Sequence, residues 1–362
     1  MRSQPDPEDG LGVLVPEPEP GRALSFDRLL RAALIVVPLG ILGNIVFTLY
    51  TTDRETFAAL ASFPWQYLAL AVVLGLIPWF TNAFRLMIWT HFIGYSLSLR
   101  EALRIVLGSD VASSLLPTST GGELIRLGML VQRGVPTGAA GSIFTLAYLE
   151  DTLFFAIVLP VAFIWSDAGE LPIFGQIAEQ FQTDAAPALL VGVVLLLGAL
   201  LLVRMVFTGW LGRRVQRRVF RSYVRIRHRL RRTWNDARGV YVLVIRRGKL
   251  RFVATWLLGA LQWTCRYSVA TALVAFLGAP VDPVLFFLLQ WVVFTAMMFI
   301  PTPGASGGAE AAFYLVYSAL IPAGIIGLAT AGWRFFTFYL QLGLGSLVFA
   351  LLNVEGGRRR SL

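Results

Sequence analysis

Residues that hold metals or close disulfides are scarce in this chain. Its single cysteine, Cys265, excludes an intrachain disulfide and lies within an apolar run, as expected of a small buried hydrophobe. The two histidines, His91 and His228, stand in no metal-ligand spacing with each other or with the cysteine, so no metal site is expected. Nor does the sequence hold a Gly-x-x-x-x-Gly-Lys-Ser/Thr phosphate loop, and no cofactor is expected. Charge is sparse too: 14% of residues are charged and 56% apolar, whereas a soluble domain carries roughly a quarter charged residues. The start lacks the basic-then-apolar order of a signal peptide. Instead, residues 1–27 interleave Pro5, Pro7, Pro16, Pro18 and Pro20 with acidic residues, the composition of a disordered tail.

What is abundant is apolar sequence in runs of bilayer length. These are Ala32–Tyr50, Tyr67–Trp89, Ile143–Trp165, Pro187–Phe207, Phe252–Leu277 and Pro322–Leu352, where about 20 helical residues suffice to cross the hydrocarbon. The net charge of +10 is concentrated in 204–251, which holds sixteen Arg or Lys against one acid, Asp236. A basic loop of this kind is expected on the cytoplasmic side, against anionic headgroups rather than nucleic acid. The acidic segment 166–186 is expected outside, and both termini, including the basic tail 356–362, inside. Trp65, Trp89, Trp165, Trp210 and Trp333 fall near run ends, where interfacial belts account for them.

Two segments interrupt the pattern and resemble each other. One runs Leu116, Pro117, Thr118, Ser119, Thr120, Gly121, Gly122, Glu123; the other runs Ile300, Pro301, Thr302, Pro303, Gly304, Ala305, Ser306, Gly307, Gly308, Ala309, Glu310. Proline removes a helix donor and glycine removes stiffness, so each breaks a helix before a carboxylate opens the next. Broken backbone at membrane depth needs a protein or water lining. The expectation is therefore an all-α polytopic protein of about six transmembrane helices plus two re-entrant hairpins, near 105–131 and 284–320. They sit in two inverted repeat units, 28–186 and 187–355. Chance likeness of two Gly/Pro breaks is the competing reading.

Charges that border or occupy apolar runs need a partner or a purpose, since each costs roughly 2.5–3.5 kcal/mol at mid-bilayer on insertion scales. They are Arg85, Glu123, Arg126, Glu150, Asp151, Arg266, Glu310 and Arg334. Glu123 and Arg126 share a helix face and serve either as an ion pair or as substrate contacts. Glu150 and Asp151 project about 100° apart on a helix and are expected to meet different neighbours among Arg85, Arg266 and Arg334. Arg85, near a run end, is placed to snorkel or to bind. An arginine fork also suits a lipid phosphate.

The segments Pro117 with Gly121, Gly122, Glu123 and Arg126, and Pro301–Pro303–Gly304 with Gly307, Gly308 and Glu310, resemble signatures of the flippase-like transmembrane domain of lysylphosphatidylglycerol synthase. Arg85 with Trp89 is similar to a third, weaker signature. The resemblance spans about Ala32 to Leu352, and it departs at the adjacent Glu150 and Asp151, which the family separates by a few residues. It implies translocation of a phospholipid or lipid-linked anionic headgroup by a multi-pass protein of a bacterial or archaeal inner membrane, without the soluble aminoacyltransferase domain. On this reading Arg85, Arg126 and Arg266 meet phosphate, while Glu123 and Glu310 meet a cation, a proton or the hairpin itself. The expected partners are membrane lipids, with a second copy or a soluble lipid-modifying enzyme as further candidates. The alternatives are an integral-membrane enzyme on a lipid-linked substrate, which would need Glu150 and Asp151 for turnover, and a non-transporting membrane partner using the basic loop.

Overall fold

The structure is a computed structural model that describes residues 63–115, 121–170, 237–300 and 302–358, with scattered positions in 38–50 and single residues 175 and 234. Pro117, Pro301, part of the Ala32–Tyr50 run, the Pro187–Phe207 run, the tail 1–27 and most of the basic and acidic loops lie outside the described residues. Every regular element among the described residues is helical.

The first half contains α1 (Trp65–Phe92), α2 (Leu99–Leu115), α3 (Gly121–Val131) and α4 (Thr137–Trp165). In the second half come α5 (Lys249–Phe276), α6 (Pro283–Met297), a 3-10 turn (Pro303–Ala305), α7 (Gly308–Tyr317), α8 (Ala323–Arg334), a π-helical turn (Phe335–Tyr339) and α9 (Leu340–Arg358). Long helix, shorter helix, break, short helix and long helix thus occur in that order twice.

Among the described residues, three helices are long and apolar enough to cross a membrane: Trp65–Phe92, Thr137–Trp165 and Ala323–Leu352. The expected run at Phe252–Leu277 is the 28-residue helix α5, about 42 Å long at 1.5 Å per residue. It is more polar than those three, because Lys249, Arg251, Gln262 and Arg266 lie along it. Its small buried residues, such as Gly259 and Ala270, let it lie closely along α1, where Ala71, Gly75 and Ala83 are equally small and buried.

Around this central pair, α2 packs on α1, α3 and α9, while α6 packs on α5, α7 and α4. The second half is closed by a buried polar chain. Trp333 donates to Gln290 (3.0 Å), Gln290 donates to the Tyr317 hydroxyl (3.0 Å), and that hydroxyl donates to the Phe286 carbonyl (2.9 Å). Phe313 stacks between Tyr317 and Trp333, at 4.5 and 4.7 Å between ring centroids. Trp333 is therefore a core residue and not part of an interfacial belt. The same correction applies to Trp89, which is 1% exposed, whereas Trp65 and Trp165 are open at 73% and 78%. Position near a run end did not separate them, because burial depends on which neighbour covers the ring.

Candidate functional site

The two breaks are built by sterics. A Cβ on Gly122 would stand 2.5 Å from the Ser109 carbonyl and 2.6 Å from Ser113 Cβ, so the first turn of α3 lies directly against α2. At the second break a Cβ on Gly308 would run into Ile300. Here the chain turns through Pro303 and through Gly304 and Gly307, whose φ values of +59° and +83° favour glycine.

The carboxylates that follow the breaks differ in their partners. Glu310 is fully engaged: its Oε2 accepts from the Gly307 N–H at 2.8 Å, and its Oε1 lies 2.9 Å from Arg334 Nε. Arg334 also donates to the Gly304 carbonyl and stands over the Phe338 ring, 4.1 Å from its centroid. One arginine thereby ties α8 to both sides of the second break. Glu123 makes only a 3.9 Å approach to Arg126, and its Oε2 is buried without a hydrogen bond. Arg126 reaches back to α2, donating to Ser109 Oγ at 3.2 Å and approaching Asp110 at 3.5 Å.

Arg85 does not snorkel. It is 3% exposed and binds Glu150 through Nη2 (2.8 Å) and Nε (3.2 Å), and Asp151 through Nη2 (2.8 Å). The two carboxylates, expected to face different neighbours, converge on one guanidinium, because the long Arg85 side chain reaches between their diverging directions. Glu150 is completed by the Trp89 indole N–H (3.0 Å) and the Thr255 hydroxyl (2.6 Å), and Arg85 donates further to Gln262 (3.3 Å). Gly259 leaves room for this cluster: a Cβ there would lie 3.1 Å from Arg85 Cζ and 3.2 Å from Asp151 Oδ1.

Two cavities adjoin these groups. The larger, of about 610 Å³, lies between α2 and the second break, and Glu123, Arg266, Gly304 and Arg334 are among its lining. The smaller, of about 190 Å³, touches Arg85, Glu123, Arg126, Asp151 and Arg266. Asp110, Glu123, Trp263 and Arg266 line both. Among the described residues no group of three or more His, Cys, Asp or Glu could hold a metal ion.

The structure thus brings Arg85, Glu150 and Asp151 together, Glu123 and Arg126 together, and Glu310 and Arg334 together, with Arg266 in the shared wall. Sequence reasoning missed Asp110, Trp89 as a donor to Glu150, and Thr255, Gln262 and Trp263. For Asp110 a signal existed, since it is the lone carboxylate in the middle of the apolar approach to the first break. The others carry no full charge, and nothing in a linear pattern separates them from ordinary helix residues.

The family model described as Lysylphosphatidylglycerol synthase TM region matches residues 29–345. A UPF0104 membrane protein of Archaeoglobus fulgidus is 24% identical over 322 residues, covering 85% of this chain and 94% of that relative. With helices long and apolar enough to span a bilayer and this match across most of its length, the chain is a membrane protein and belongs to the lysylphosphatidylglycerol synthase TM region family.

Proposed function

We propose that this protein moves a phospholipid, or a lipid-linked anionic headgroup, between membrane leaflets without making or breaking a bond. The observation that carries the reading is the pair of cavities with a common charged wall, in a chain with helices long and apolar enough to cross a bilayer. A headgroup at membrane depth needs water or fixed polar groups around it, whereas its acyl chains need only lipid. The lining of the larger cavity holds charged groups, Asp110, Glu123 and Arg266, together with apolar ones, Phe294, Met298 and Phe299. Engaging Arg85 and Arg334 internally leaves Glu123, Arg126 and Arg266 as the groups a headgroup would meet.

The twice-used order of elements supports an arrangement in which Leu99–Val131 and Pro283–Tyr317 enter as re-entrant hairpins from opposite faces, in a protein of about six crossings with both termini cytoplasmic. Cysteines placed at Asp167 and Trp234 would then react with impermeant reagents from opposite sides. Reaction of both from one side would overturn the orientation.

Translocation itself is tested with purified protein in vesicles carrying a fluorescent phospholipid, followed by quenching from the outer face. Wild type is expected to expose inner-leaflet lipid faster than empty vesicles, and Glu123→Gln to lose most of that rate while remaining folded. Wild-type protein no faster than empty vesicles, across anionic and zwitterionic headgroups, would sink the proposal.

A further inference from the structure

Among the described residues, the arginines Arg85, Arg126, Arg266 and Arg334 line the two cavities. Carboxylates accompany three of them: Glu150 and Asp151 at Arg85, Asp110 and Glu123 at Arg126, and Glu310 at Arg334. Within the same described residues Arg266 has no carboxylate within salt-bridge distance, and its Nε is buried without a hydrogen-bond partner. The element order shows where the asymmetry comes from. Arg85 on α1 is neutralised from α4, the long helix that closes the first half. In the second half the corresponding place after the short helix is taken by α8, whose buried charge is another cation, Arg334. Arg266 on α5 is left without the acid that its counterpart has.

The surroundings hold this cation in place. Its guanidinium carbon lies 5.4 Å from the Phe294 ring centroid and 5.8 Å from that of Trp263. Aromatic faces attract a cation without using its N–H donors, so these remain for a ligand. A guanidinium offers planar paired donors that match two oxygens of a phosphate. Placed in the wall common to both cavities, it can meet a ligand in either one.

We infer that Arg266 is an oxyanion-binding residue, and that the anion is the phosphodiester of a membrane lipid held in the larger cavity. The assignment deepens the translocation reading and rests on it for the lipid as source, since a soluble phosphate presents the same oxygens.

The test measures binding to detergent-purified protein by calorimetry. Dioctanoyl phosphatidylmethanol, a phosphodiester lipid with a minimal alcohol, is the probe. Dioctanoylglycerol lacks the phosphate, while dimethyl phosphate and inorganic phosphate lack the chains. Wild type is expected to bind the phosphodiester lipid at least tenfold more tightly than any of the three, and Arg266→Gln to lose at least tenfold of that affinity. Unchanged affinity in a folded Arg266→Gln protein would overturn the site. Equal wild-type affinity for inorganic phosphate and the lipid would overturn the lipid as source. Should Arg266→Gln fail to fold, Arg266→Lys keeps the cation against the rings but lacks the planar fork: a threefold or greater loss supports the assignment, and wild-type affinity refutes it. Vesicle assays separate this from the broader proposal. Lipid bound through Arg266 but never carried across would remove translocation and leave the site. Carriage at the wild-type rate by Arg266→Gln would remove the site and leave translocation.

Discussion

Glu310 and Arg334 form the closed ion pair of the second break, at 2.9 Å, while the carboxylate that follows the first break, Glu123, approaches its nearest cation only to 3.9 Å. Two similar sequence signatures therefore hold one engaged acid and one loosely held acid.

The engaged pair is expected to matter for folding. Arg334 is 1% exposed, and removing one member of a buried pair leaves the other uncompensated, typically at a cost of about 3–5 kcal/mol. Glu310→Gln should lower the thermal unfolding midpoint of the detergent-purified protein clearly more than Glu123→Gln does. Equal shifts would refute the distinction.

The Arg85 cluster predicts a graded series. Glu150 is buried and accepts from Arg85, Trp89 and Thr255, so Glu150→Gln should cost several kcal/mol, about the 3–5 typical of a broken buried pair. Asp151, paired with Arg85 but with its side chain 23% exposed, should cost less as Asp151→Asn. Trp89→Phe removes one hydrogen bond to a charged group and should cost about 1.5–3 kcal/mol. Denaturant titration of the three variants checks the order, and Asp151→Asn proving the most damaging would contradict it.

Helix glycines should divide by what they face. At Gly122→Ala the new methyl meets the Ser109 backbone, which cannot swing away, and overpacking of this kind costs about 1–3 kcal/mol. Gly128, on the same helix, has open space where a Cβ would stand, with nothing within 4 Å, so Gly128→Ala should stabilise by about 0.5–1 kcal/mol. Unfolding midpoints moving in the same direction for both would show that contact with α2 is not the cause.

A pH effect is expected at the start of α2. Ser98 donates to Glu101 Oε2 through its backbone N–H (3.0 Å) and hydroxyl (2.9 Å), and Arg133 lies 2.6 Å from Oε1. Burial pushes the Glu101 carboxyl up, but the Ser98 bonds and Arg133 together hold it below its ordinary value of 4.5. A lowered folded-state value means stability that is present above the ordinary value and is lost as pH falls through the lowered one. Glu101→Gln keeps an acceptor for Ser98 but loses the charge, so it should be less stable than wild type at neutral pH, by about 0.3–1 kcal/mol as for a carboxylate charge at a helix N-terminus, and the gap should close in acid. A gap that stays constant down to pH of about 3 would exclude the linkage.

Much of this protein was legible in its sequence. Apolar runs of bilayer length fix a helical membrane protein, because lipid offers backbone polar groups no partners and they must be satisfied within the chain. The Pro and Gly positions likewise mark the helix break at Ile300–Gly308, whose backbone conformation is a local property. Which charge meets which was not legible. Adjacent Glu150 and Asp151 diverge on their own helix, and only the packing of α1 against α4 and α5 places Arg85 between them. Trp89 and Trp333 look like belt residues until neighbouring helices cover them. Glu123 and Glu310 read alike along the chain, but the folded protein sets Arg334 beside one and leaves the other facing a cavity. Sequence determined the solvent and the elements, through composition and local backbone chemistry; tertiary structure decided the partners, because an ion pair depends on distances between helices that no single helix encodes.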